Sequence, residues 1–296
     1  MRNEKVLIVG IDSFTGKHLY NELNDCGYQV YGTARLETKD GRWYQCDILD
    51  KARIKEIIDI VKPDYIVHLV AISFVQHINK ADIYNINIVG VVNLLEAVHE
   101  LGLPLKKIVL PSSATVYEPT INVPIDESVG LIGLSDYAVS KISMEMVAKL
   151  WFERLPIIVT RPFNYTGVGQ AKSFIVPKIV DHFKRGEKTI ELGNIDVYRD
   201  ISDVADVVYS YRRLLESPEA GVAVNICSGR CVSIRQIISD MEALAGYSIN
   251  VVTNPDFVRK NDIERIVGCN KKLLGMLGEY EFSPMAQLIK KMYEID

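Results

Sequence analysis

Several features that mark other classes of protein are absent or scarce in this sequence. The 296 residues contain only five cysteines, Cys26, Cys46, Cys227, Cys231 and Cys269. An odd number at scattered positions does not form a disulfide framework. Cys227 and Cys231 are four residues apart, but no histidine or second cysteine pair accompanies them at the spacing of a zinc site. We therefore expect reduced, buried thiols and no metal site.

Charge and hydropathy argue against further classes. Lysine and arginine total 34 and aspartate and glutamate total 38, so the net charge of −4 argues against nucleic-acid binding driven by bulk charge. No run approaches the roughly 20 uncharged apolar residues of a membrane span. The chain passes through Glu4 and Lys5 into an apolar run without a signal-peptide core. We expect a cytoplasmic protein that binds neither nucleic acid nor a membrane.

The sequence alternates short apolar runs with amphipathic segments, and hydrophobic residues make up 48% of it. Strands that are apolar on both faces and separated by helices indicate a parallel sheet covered on both sides. Right-handed crossovers then predict an α/β fold with a doubly wound sheet of the Rossmann type. The predicted strands are Val6–Val9, Tyr28–Gly32, Tyr65–Ala71, Lys107–Leu110 and Ile157–Thr160, and the predicted helices are Thr15–Asn24, Arg53–Val61, Asn85–Leu101 and Ser135–Leu155.

The character of the chain changes after Arg161, where loop-forming residues become frequent. Residues 1–162 are expected to form the sheet domain. Residues 163–296 are expected to form mainly a smaller C-terminal α/β lobe, with some returns to the sheet and a ligand cleft between the two parts. The helices predicted in this half are Pro177–Lys184, Val204–Leu215, Ile234–Ala245 and Pro284–Tyr293.

A glycine motif, Gly10-Ile-Asp-Ser-Phe-Thr-Gly16, follows the first predicted strand and opens a helix. Glycine lets the backbone turn tightly and approach a pyrophosphate, while the helix N-terminus offers free N–H groups and partial positive charge. Ser13 holds the middle position, where a third glycine is usual. A plain strand-to-helix turn without a ligand is the alternative interpretation.

A second motif places Tyr137 and Lys141 four residues apart at the start of a predicted helix. Such side chains share a helix face, and an ammonium beside a phenol lowers the phenol pKa from its ordinary value of about 10. Tyr137 would then be tuned as a general acid. Ser113 follows the fourth predicted strand, at the carboxyl edge where doubly wound sheets bind ligands. An exposed helix pair and a serine-rich turn are the alternatives without chemistry.

In combination these motifs resemble the extended short-chain dehydrogenase/reductases, the NAD(P)-dependent family of nucleotide-sugar epimerases, dehydratases and reductases. The likeness covers nearly the whole chain. Besides the glycine turn, Ser113, Tyr137 and Lys141, it rests on Asp47-Ile48, His68–Ala71, Asn87–Ala97, Arg161–Asn164, Arg199–Val204 and Asn225–Gly229.

The resemblance implies a role for each matching residue. Ser113, Tyr137 and Lys141 would be catalytic, and residues 1–162 would bind the cofactor. Cofactor contacts would come from Gly10, Ser13, Phe14, Thr15, Gly16, Arg35, Asp47, Ile48, Leu69, Val70, Ala71 and Pro162. A nucleotide-diphosphate sugar would contact Thr115, Asn164, Arg199 and Arg259. A salt-bridge role for the two arginines, and a loop-satisfying role for Asn164, are the structural alternatives.

The residues after Ser113 narrow the reaction. Dehydratases of the family carry a carboxylate there, and one epimerising type carries a cysteine, whereas this chain has Ala114 and Thr115. A 4-ketosugar reductase or a 4-epimerase with retained NAD remains. The segments from Arg161 to Gln170 and from Leu192 to Asp200 are similar to those of GDP-6-deoxy-4-keto-D-mannose reductases, which favours reduction to GDP-D-rhamnose. A non-catalytic NADP-binding regulator is the alternative from another class.

Cofactor choice depends on the end of the second strand. NAD-binding sheets usually place an acid there to bind the ribose hydroxyls, but this chain has Arg35, which can pair with a 2′-phosphate. NADP(H) is therefore favoured over NAD(H), with Glu37 close enough to keep NAD open. The resemblance also implies a homodimer, in which Asn85–Leu101 and Ser135–Leu155 of two copies form a four-helix bundle. Ile142, Met146 and Leu150 agree with that face and equally with core burial.

Overall fold

The structure, a computed structural model, describes residues 2–36, 40–73, 79–120, 124–257 and 263–295. In chain order its strands are β1 (Lys5–Val9), β2 (Gln29–Ala34), β3 (Trp43–Gln45), β4 (Tyr65–His68), β5 (Lys107–Pro111), β6 (Ile157–Pro162), β7 (Asn164–Thr166), β8 (Thr189–Leu192), β9 (Tyr198–Arg199), β10 (Ile201–Asp203), β11 (Val222–Ile226), β12 (Val232–Ser233), β13 (Asn250–Thr253) and β14 (Arg265–Ile266).

The helices in the same order are α1 (Phe14–Asp25), α2 (Lys51–Val61), α3 (Lys80–Tyr84), α4 (Gly90–Leu101), α5 (Asp136–Lys149), α6 (Ile175–Lys184), α7 (Val204–Glu216), α8 (Ile234–Ala245), α9 (Lys271–Leu277) and α10 (Met285–Glu294). A π-helical turn, Asn85–Val89, joins α3 to α4. Short 3₁₀ turns lie at Ala114–Val116 and Pro255–Phe257.

A seven-stranded sheet in the order β11-β6-β5-β4-β1-β2-β3 forms the larger part, and all its paired strands are parallel. Successive residues of each inner strand face opposite sides, so one strand supplies two cores. Ile8 packs in the core with α1 and α7, and Leu7 packs in the core with α2 and α4. The doubly wound α/β fold expected from the alternating pattern is confirmed.

The predicted elements differ from the observed ones mainly at their ends. Strand β4 ends at His68 rather than Ala71. Helix α5 ends at Lys149 rather than Leu155, because the chain tightens: the Leu150 N–H donates to the Val147 carbonyl at 3.0 Å. Strand β3 was missed since its three residues lie at the sheet edge, where Trp43 and the residues after it form no apolar run.

The second half of the chain contributes to both parts of the molecule. Strand β11 completes the large sheet, and α7 and α9 pack on it. A smaller lobe has its own core, in which α6, α8 and α10 enclose Ile179, Ile237 and Ile289. Its strands pair in short sets, β10 with β7, β13 with β8, and β12 and β14 with β9. The smaller α/β lobe of the prediction is therefore present.

The helical stretch Lys80–Leu101 is a core helix with an apolar composition. Its 22 residues have a mean hydropathy of 1.2 in their most apolar window, enough by length and composition alone to cross a membrane. Half of that window is buried inside the protein. Leu94 and Leu95 are fully buried, packed with α2 and the sheet. This burial is the environment expected for the core helix of a sheet protein.

Candidate active site

The carboxyl ends of β1, β2 and β4 open into one cavity of about 450 Å³. Eight of the twelve residues predicted to contact a cofactor line it, namely Gly10, Ser13, Arg35, Asp47, Ile48, Leu69, Val70 and Ala71. Sequence reasoning missed other lining residues, among them Asp12, Cys46 and Leu49. Asp12 lies in the turn after β1, and Cys46 and Leu49 lie in the segment after β3.

The two glycines of the first motif are required by the geometry of the turn. Gly10 has φ of 92°, and a Cβ there would lie 2.9 Å from the Val70 side chain. A Cβ on Gly16 would lie 2.5 Å from the Gly10 carbonyl oxygen, so only glycine lets α1 pack this close to β1. The bare backbone of the turn thus faces the cavity without side chains that would fill it.

Ser13 explains how the turn works without a middle glycine. Its φ of −67° is ordinary for any residue, and its hydroxyl caps α1 by accepting from the Gly16 N–H at 3.0 Å. The same hydroxyl donates to the Gly10 carbonyl at 2.7 Å. No acidic residue lies in the first turn of α1, although Asp12 directly precedes the cap and also lines the cavity. These features fit a pyrophosphate, and the cavity fits the nucleoside half of a dinucleotide cofactor.

Arg35 and Asp47 lie at the far wall of the cavity. Arg35 is exposed directly after β2. The Asp47 carboxylate accepts from the Leu49 N–H at 2.9 Å, which orients it at the start of the following segment. Both residues line the cavity, and their predicted cofactor contacts stay predictions. Phe14 and Thr15 occupy the first turn of α1 behind the cavity wall.

The three predicted catalytic residues come together at the ends of β5 and α5. Ser113 accepts hydrogen bonds from the Thr115 N–H at 3.2 Å and the Thr115 hydroxyl at 2.9 Å. Ser113 is also near enough to Tyr137 to lower the pKa of that phenol. Lys141 donates to the Pro111 carbonyl at 2.8 Å, and its ammonium lies 6.0 Å from the centre of the Tyr137 ring. The buried Ser113 and Lys141 side chains therefore lie with the half-buried Tyr137 in one site.

Burial favours the neutral forms of Tyr137 and Lys141, so the pKa of Tyr137 rises and that of Lys141 falls. The pKa of Tyr137 rises to about 12, chiefly through desolvation and further through Tyr165, while Ser113 opposes the rise. The pKa of Lys141 falls to about 8 through desolvation, which Glu145 opposes. The expected lowering of the Tyr137 pKa by Lys141 is therefore wrong for this structure, because desolvation dominates the shift and Lys141 is not among the groups that produce it.

His68 lies in the same buried region but is a poor proton donor. Desolvation and the nearby Lys141 ammonium lower its pKa to about 3. The imidazole is therefore neutral near neutral pH. Tyr137, whose pKa is far above neutral, keeps its proton in the same range. Of these two side chains, the Tyr137 phenol is the stronger acid near neutral pH, because the neutral imidazole has already lost its acidic proton.

A buried ion pair anchors the helix that carries Tyr137 and Lys141. The Arg161 guanidinium binds both oxygens of Glu145, at 3.0 and 2.7 Å, and also donates to the Tyr117 hydroxyl at 3.1 Å. Burial is nearly complete on both sides, with 5% and 1% of the two side chains exposed. The sequence analysis noted Arg161 in a motif but assigned Glu145 no role. Its spacing of four residues after Lys141 was the available signal.

The predicted substrate residues are less closely assembled. Asn164 begins β7 and is exposed, and Thr115 lies beside Ser113. Arg199, in β9, donates to the carbonyl oxygens of Ile263 and Tyr198, at 2.8 and 2.9 Å. The structure thus gives Arg199 a backbone-bridging role in the second lobe. Pro162 is the last residue of β6, which lies between β11 and β5 in the large sheet. Arg259 and Glu37 lie outside the described residues.

Comparison with known proteins agrees with this geometry. Residues 6–227 match the model of the NAD dependent epimerase/dehydratase family. The chain belongs to that family. It is 32% identical to a GDP-6-deoxy-D-talose 4-dehydrogenase of Aggregatibacter actinomycetemcomitans, over 98% of this chain and 97% of the relative. It is 30% identical to a GDP-6-deoxy-D-mannose reductase of Pseudomonas aeruginosa, over 91% of this chain and 90% of the relative.

A solved structure supports the same family at the level of the fold. The structure of RMD from Pseudomonas aeruginosa complexed with NADPH has a TM-score of 0.87 and 28% identity, and the match covers 99% of this chain and 97% of that one. The resemblance to the extended short-chain dehydrogenase/reductases is thereby confirmed. The chain is an NAD(P)-dependent enzyme of this family, and the alternative of a non-catalytic regulator loses its support.

Proposed function

We propose that the protein reduces the C4 ketone of a nucleotide-activated 4-keto-6-deoxy sugar. GDP-4-keto-6-deoxy-D-mannose is the proposed substrate and GDP-D-rhamnose the proposed product. The observation that carries this proposal is the cluster of buried Ser113, half-buried Tyr137 and buried Lys141 beside the cofactor cavity, with Ala114 and Thr115 in the positions after Ser113. Neither of those two side chains is an acid or base for expelling water, so reduction is the simplest chemistry left.

The side chains divide the work of proton transfer and orientation. NADPH, when bound, supplies the hydride for the C4 carbonyl. Tyr137 donates its proton to the oxygen that develops negative charge, since its pKa of about 12 keeps it protonated at neutral pH. Ser113 hydrogen-bonds the same oxygen and fixes its direction. Lys141 adds positive charge to the site below its pKa of about 8.

The names of the two relatives support a GDP sugar as the substrate. They do not agree on the configuration at C4 of the product. D-Talose and D-mannose differ only at C4, so a 6-deoxytalose dehydrogenase and a 6-deoxymannose reductase meet at the same 4-ketosugar. The 32% identity to the talose enzyme favours GDP-6-deoxy-D-talose as the second candidate product. A 4-epimerase with retained NAD is the remaining alternative and is distinguished by the absence of net cofactor oxidation.

The deciding experiment is reduction of GDP-4-keto-6-deoxy-D-mannose, made in place by a separate dehydratase, with NADPH or NADH. We expect NADPH oxidation and a GDP-6-deoxyhexose whose C4 configuration is read by NMR. dTDP- and UDP-4-ketosugars serve as controls for the nucleotide. Interconversion of nucleotide sugars without cofactor consumption, with NAD copurifying, would identify an epimerase and overturn the proposal.

Cofactor preference is assigned to Arg35. An exposed guanidinium at the cavity wall can bind a 2′-phosphate through two N–H groups. Replacing it, Arg35→Gln, should raise the KM for NADPH by about tenfold, with little change for NADH. Arg42→Gln is the matched control, because Arg42 is also exposed and lies against Tyr31. An unchanged ratio of NADPH to NADH use in Arg35→Gln would contradict the assignment.

The assembly and location remain proposals. We propose a cytoplasmic homodimer in which the π-helical turn, α4 and α5 of two copies pack as four helices. Val89, Val139, Met146 and Leu150 are exposed on or directly after these elements, with Leu150 75% exposed. Sedimentation should give a dimer, and Met146→Glu a monomer. A wild-type monomer would contradict the assembly, and membrane-bound protein on cell fractionation would contradict the location.

A further inference from the structure

Tyr165, to which the sequence analysis assigned no role, contacts the cofactor turn from the second half of the chain. Its hydroxyl lies 2.9 Å from the Thr15 hydroxyl, and either oxygen can donate. Its ring is nearly parallel to that of Phe14, with centroids 6.3 Å apart and an angle of 11°. Thr15 and Phe14 form the first turn of α1, which follows the glycine turn directly. Tyr165 thus touches the segment whose N–H groups face a pyrophosphate.

The same side chain also influences the proposed catalytic tyrosine. Tyr165 raises the pKa of Tyr137 and that of the buried Tyr211, so the phenols are close enough to interact electrostatically. Burial raises the pKa of Tyr165 itself, and its bond to Thr15 opposes the rise. Tyr165 is therefore a neutral phenol at neutral pH. It can position neighbours by hydrogen bonding and packing, without adding charge to the site.

Further contacts bind the segment of Tyr165 to α1. The His18 ring nitrogen Nε2 lies 2.9 Å from the Val168 carbonyl oxygen. The His18 ring meets Phe14 edge to face at 5.1 Å. Residues 164–168 are thereby attached to the first two turns of α1, and Asn164, a predicted substrate contact, lies next to Tyr165. These contacts connect the predicted cofactor-binding turn with the segment that carries Asn164, the predicted substrate contact.

We propose that Tyr165 is a positioning residue for the reduction. By holding Thr15, it fixes the cofactor turn relative to Tyr137 and to the segment that carries Asn164. The proposal rests on the proposed function for the identity of the cofactor. It requires no proton transfer by Tyr165, and it predicts that the two hydroxyl groups act as one unit.

Four variants test this pairing: Tyr165→Phe, Thr15→Val, the double variant, and Thr15→Ser, which keeps the hydroxyl. Tyr28→Phe is the matched control. It also removes a tyrosine hydroxyl bond, 2.8 Å to Glu216, but lies before β2 at the opposite edge of the sheet. NADPH affinity is measured by fluorescence titration without sugar, and thermal unfolding is followed in parallel.

We expect each single hydroxyl deletion to weaken NADPH binding by about fivefold, the effect of one lost hydrogen bond. The double variant should be no weaker than either single variant, because all three lack the same bond. Thr15→Ser should bind NADPH more tightly than Thr15→Val, because it keeps the hydroxyl, and Tyr28→Phe should bind NADPH like the wild type. The KM for NADPH should rise more than kcat falls, since the Tyr137 phenol is retained.

Two results would overturn the proposal. Unchanged NADPH affinity in Tyr165→Phe, with only a lower melting temperature, would leave Tyr165 a packing residue. Independent, multiplying losses in the double variant would show that the two hydroxyls act separately. Failure of the proposed function is distinguishable, because the titrations need no sugar substrate. If the protein binds NADH and not NADPH, the same titrations with NADH decide the matter.

Discussion

The two ends of the active-site cleft are built in different ways. The cofactor end is a cavity formed largely by the backbone of the glycine turn and the N-terminus of α1, with the exposed Arg35 at its wall. At the catalytic end the charged groups are buried. Lys141 is 5% exposed, and the Glu145 side chain beside it is 1% exposed.

The difference indicates that one end of the cleft binds the cofactor and the other carries out proton transfer. A helix N-terminus and bare peptide groups bind a charged ligand that stays largely unchanged during reaction. Burial instead changes the proton affinities of the groups that react, as the pKa of about 12 for Tyr137 and about 8 for Lys141 show. Substitutions at the first end should therefore alter cofactor affinity, whereas substitutions at the second should alter turnover, pH dependence and stability.

The largest effect is expected from breaking the buried pair of Arg161 and Glu145. Glu145→Gln leaves the guanidinium without its counter-charge in a buried place, and should lower the free energy of unfolding by about 3–5 kcal/mol. Chemical denaturation measures it. Glu96→Gln is the matched control, because Glu96 pairs with Lys51 at 2.6 Å on the surface, with 40% of its side chain exposed. Its loss should stay below about 1 kcal/mol. Equal losses in the two variants would mean that burial does not distinguish the pairs.

The next effect tests the cofactor end alone. Gly16→Ala places a methyl group 2.5 Å from the Gly10 carbonyl oxygen, so α1 must shift away from β1. We expect about 1–3 kcal/mol of lost stability and a weaker affinity for NADPH. The control is Gly275→Ala in α9, where a Cβ meets nothing within 4 Å. That variant should gain about 0.5–1 kcal/mol, because alanine favours a helix. An unchanged NADPH affinity in Gly16→Ala would contradict the close approach.

A pH profile tests the catalytic end. Below pH 8 Lys141 is charged, and Tyr137 stays protonated up to about pH 12. The value of kcat/KM for NADPH should therefore fall by about tenfold per pH unit above about pH 8 as Lys141 loses its charge. Lys141→Met should be less active and should lack this decline. A decline that persists in Lys141→Met would assign it to another group.

The contribution of Lys141 to the free energy of unfolding should rise with pH, whereas kcat/KM should fall. Its pKa is depressed from 10.5 to about 8 on folding, so between these values the unfolded chain binds more protons than the folded one. The free energy of unfolding should thus rise with pH in that range, relative to Lys141→Met. Tyr137 should lower the free energy of unfolding as pH rises above 10, because its pKa is higher in the folded chain than in the unfolded one. Denaturation at several pH values measures both slopes, and a flat difference would contradict the burial of the Lys141 charge.

Local patterns predicted the fold and most of the cofactor end. The turn from Gly10 to Gly16 is contiguous in sequence, and each inner strand of the large sheet carries its own apolar run. The position of the catalytic trio followed from strand ends and helix spacing. The Rossmann-type sheet was therefore available from the residues, whereas the three-residue edge strand β3 had too few to form a pattern.

The remaining features are tertiary and join distant positions. Tyr165 and Thr15 are 150 residues apart, and no local motif indicates that their hydroxyls meet. The pKa of Tyr137 depends on how completely the folded chain excludes water, which the spacing to Lys141 does not encode. The same holds for Arg199, whose motif resembles a diphosphate site while its guanidinium binds carbonyl oxygens of Tyr198 and Ile263.

The central claim is that Tyr137 is the proton donor of an NADPH-dependent 4-ketosugar reductase. The most direct measurement compares wild type and Tyr137→Phe for NADPH oxidation with GDP-4-keto-6-deoxy-D-mannose, alongside NADPH affinity. We predict a loss in kcat of about a thousandfold with unchanged affinity, because the phenol acts in the chemical step. A Tyr137→Phe enzyme that turns over within about threefold of wild type would contradict the account.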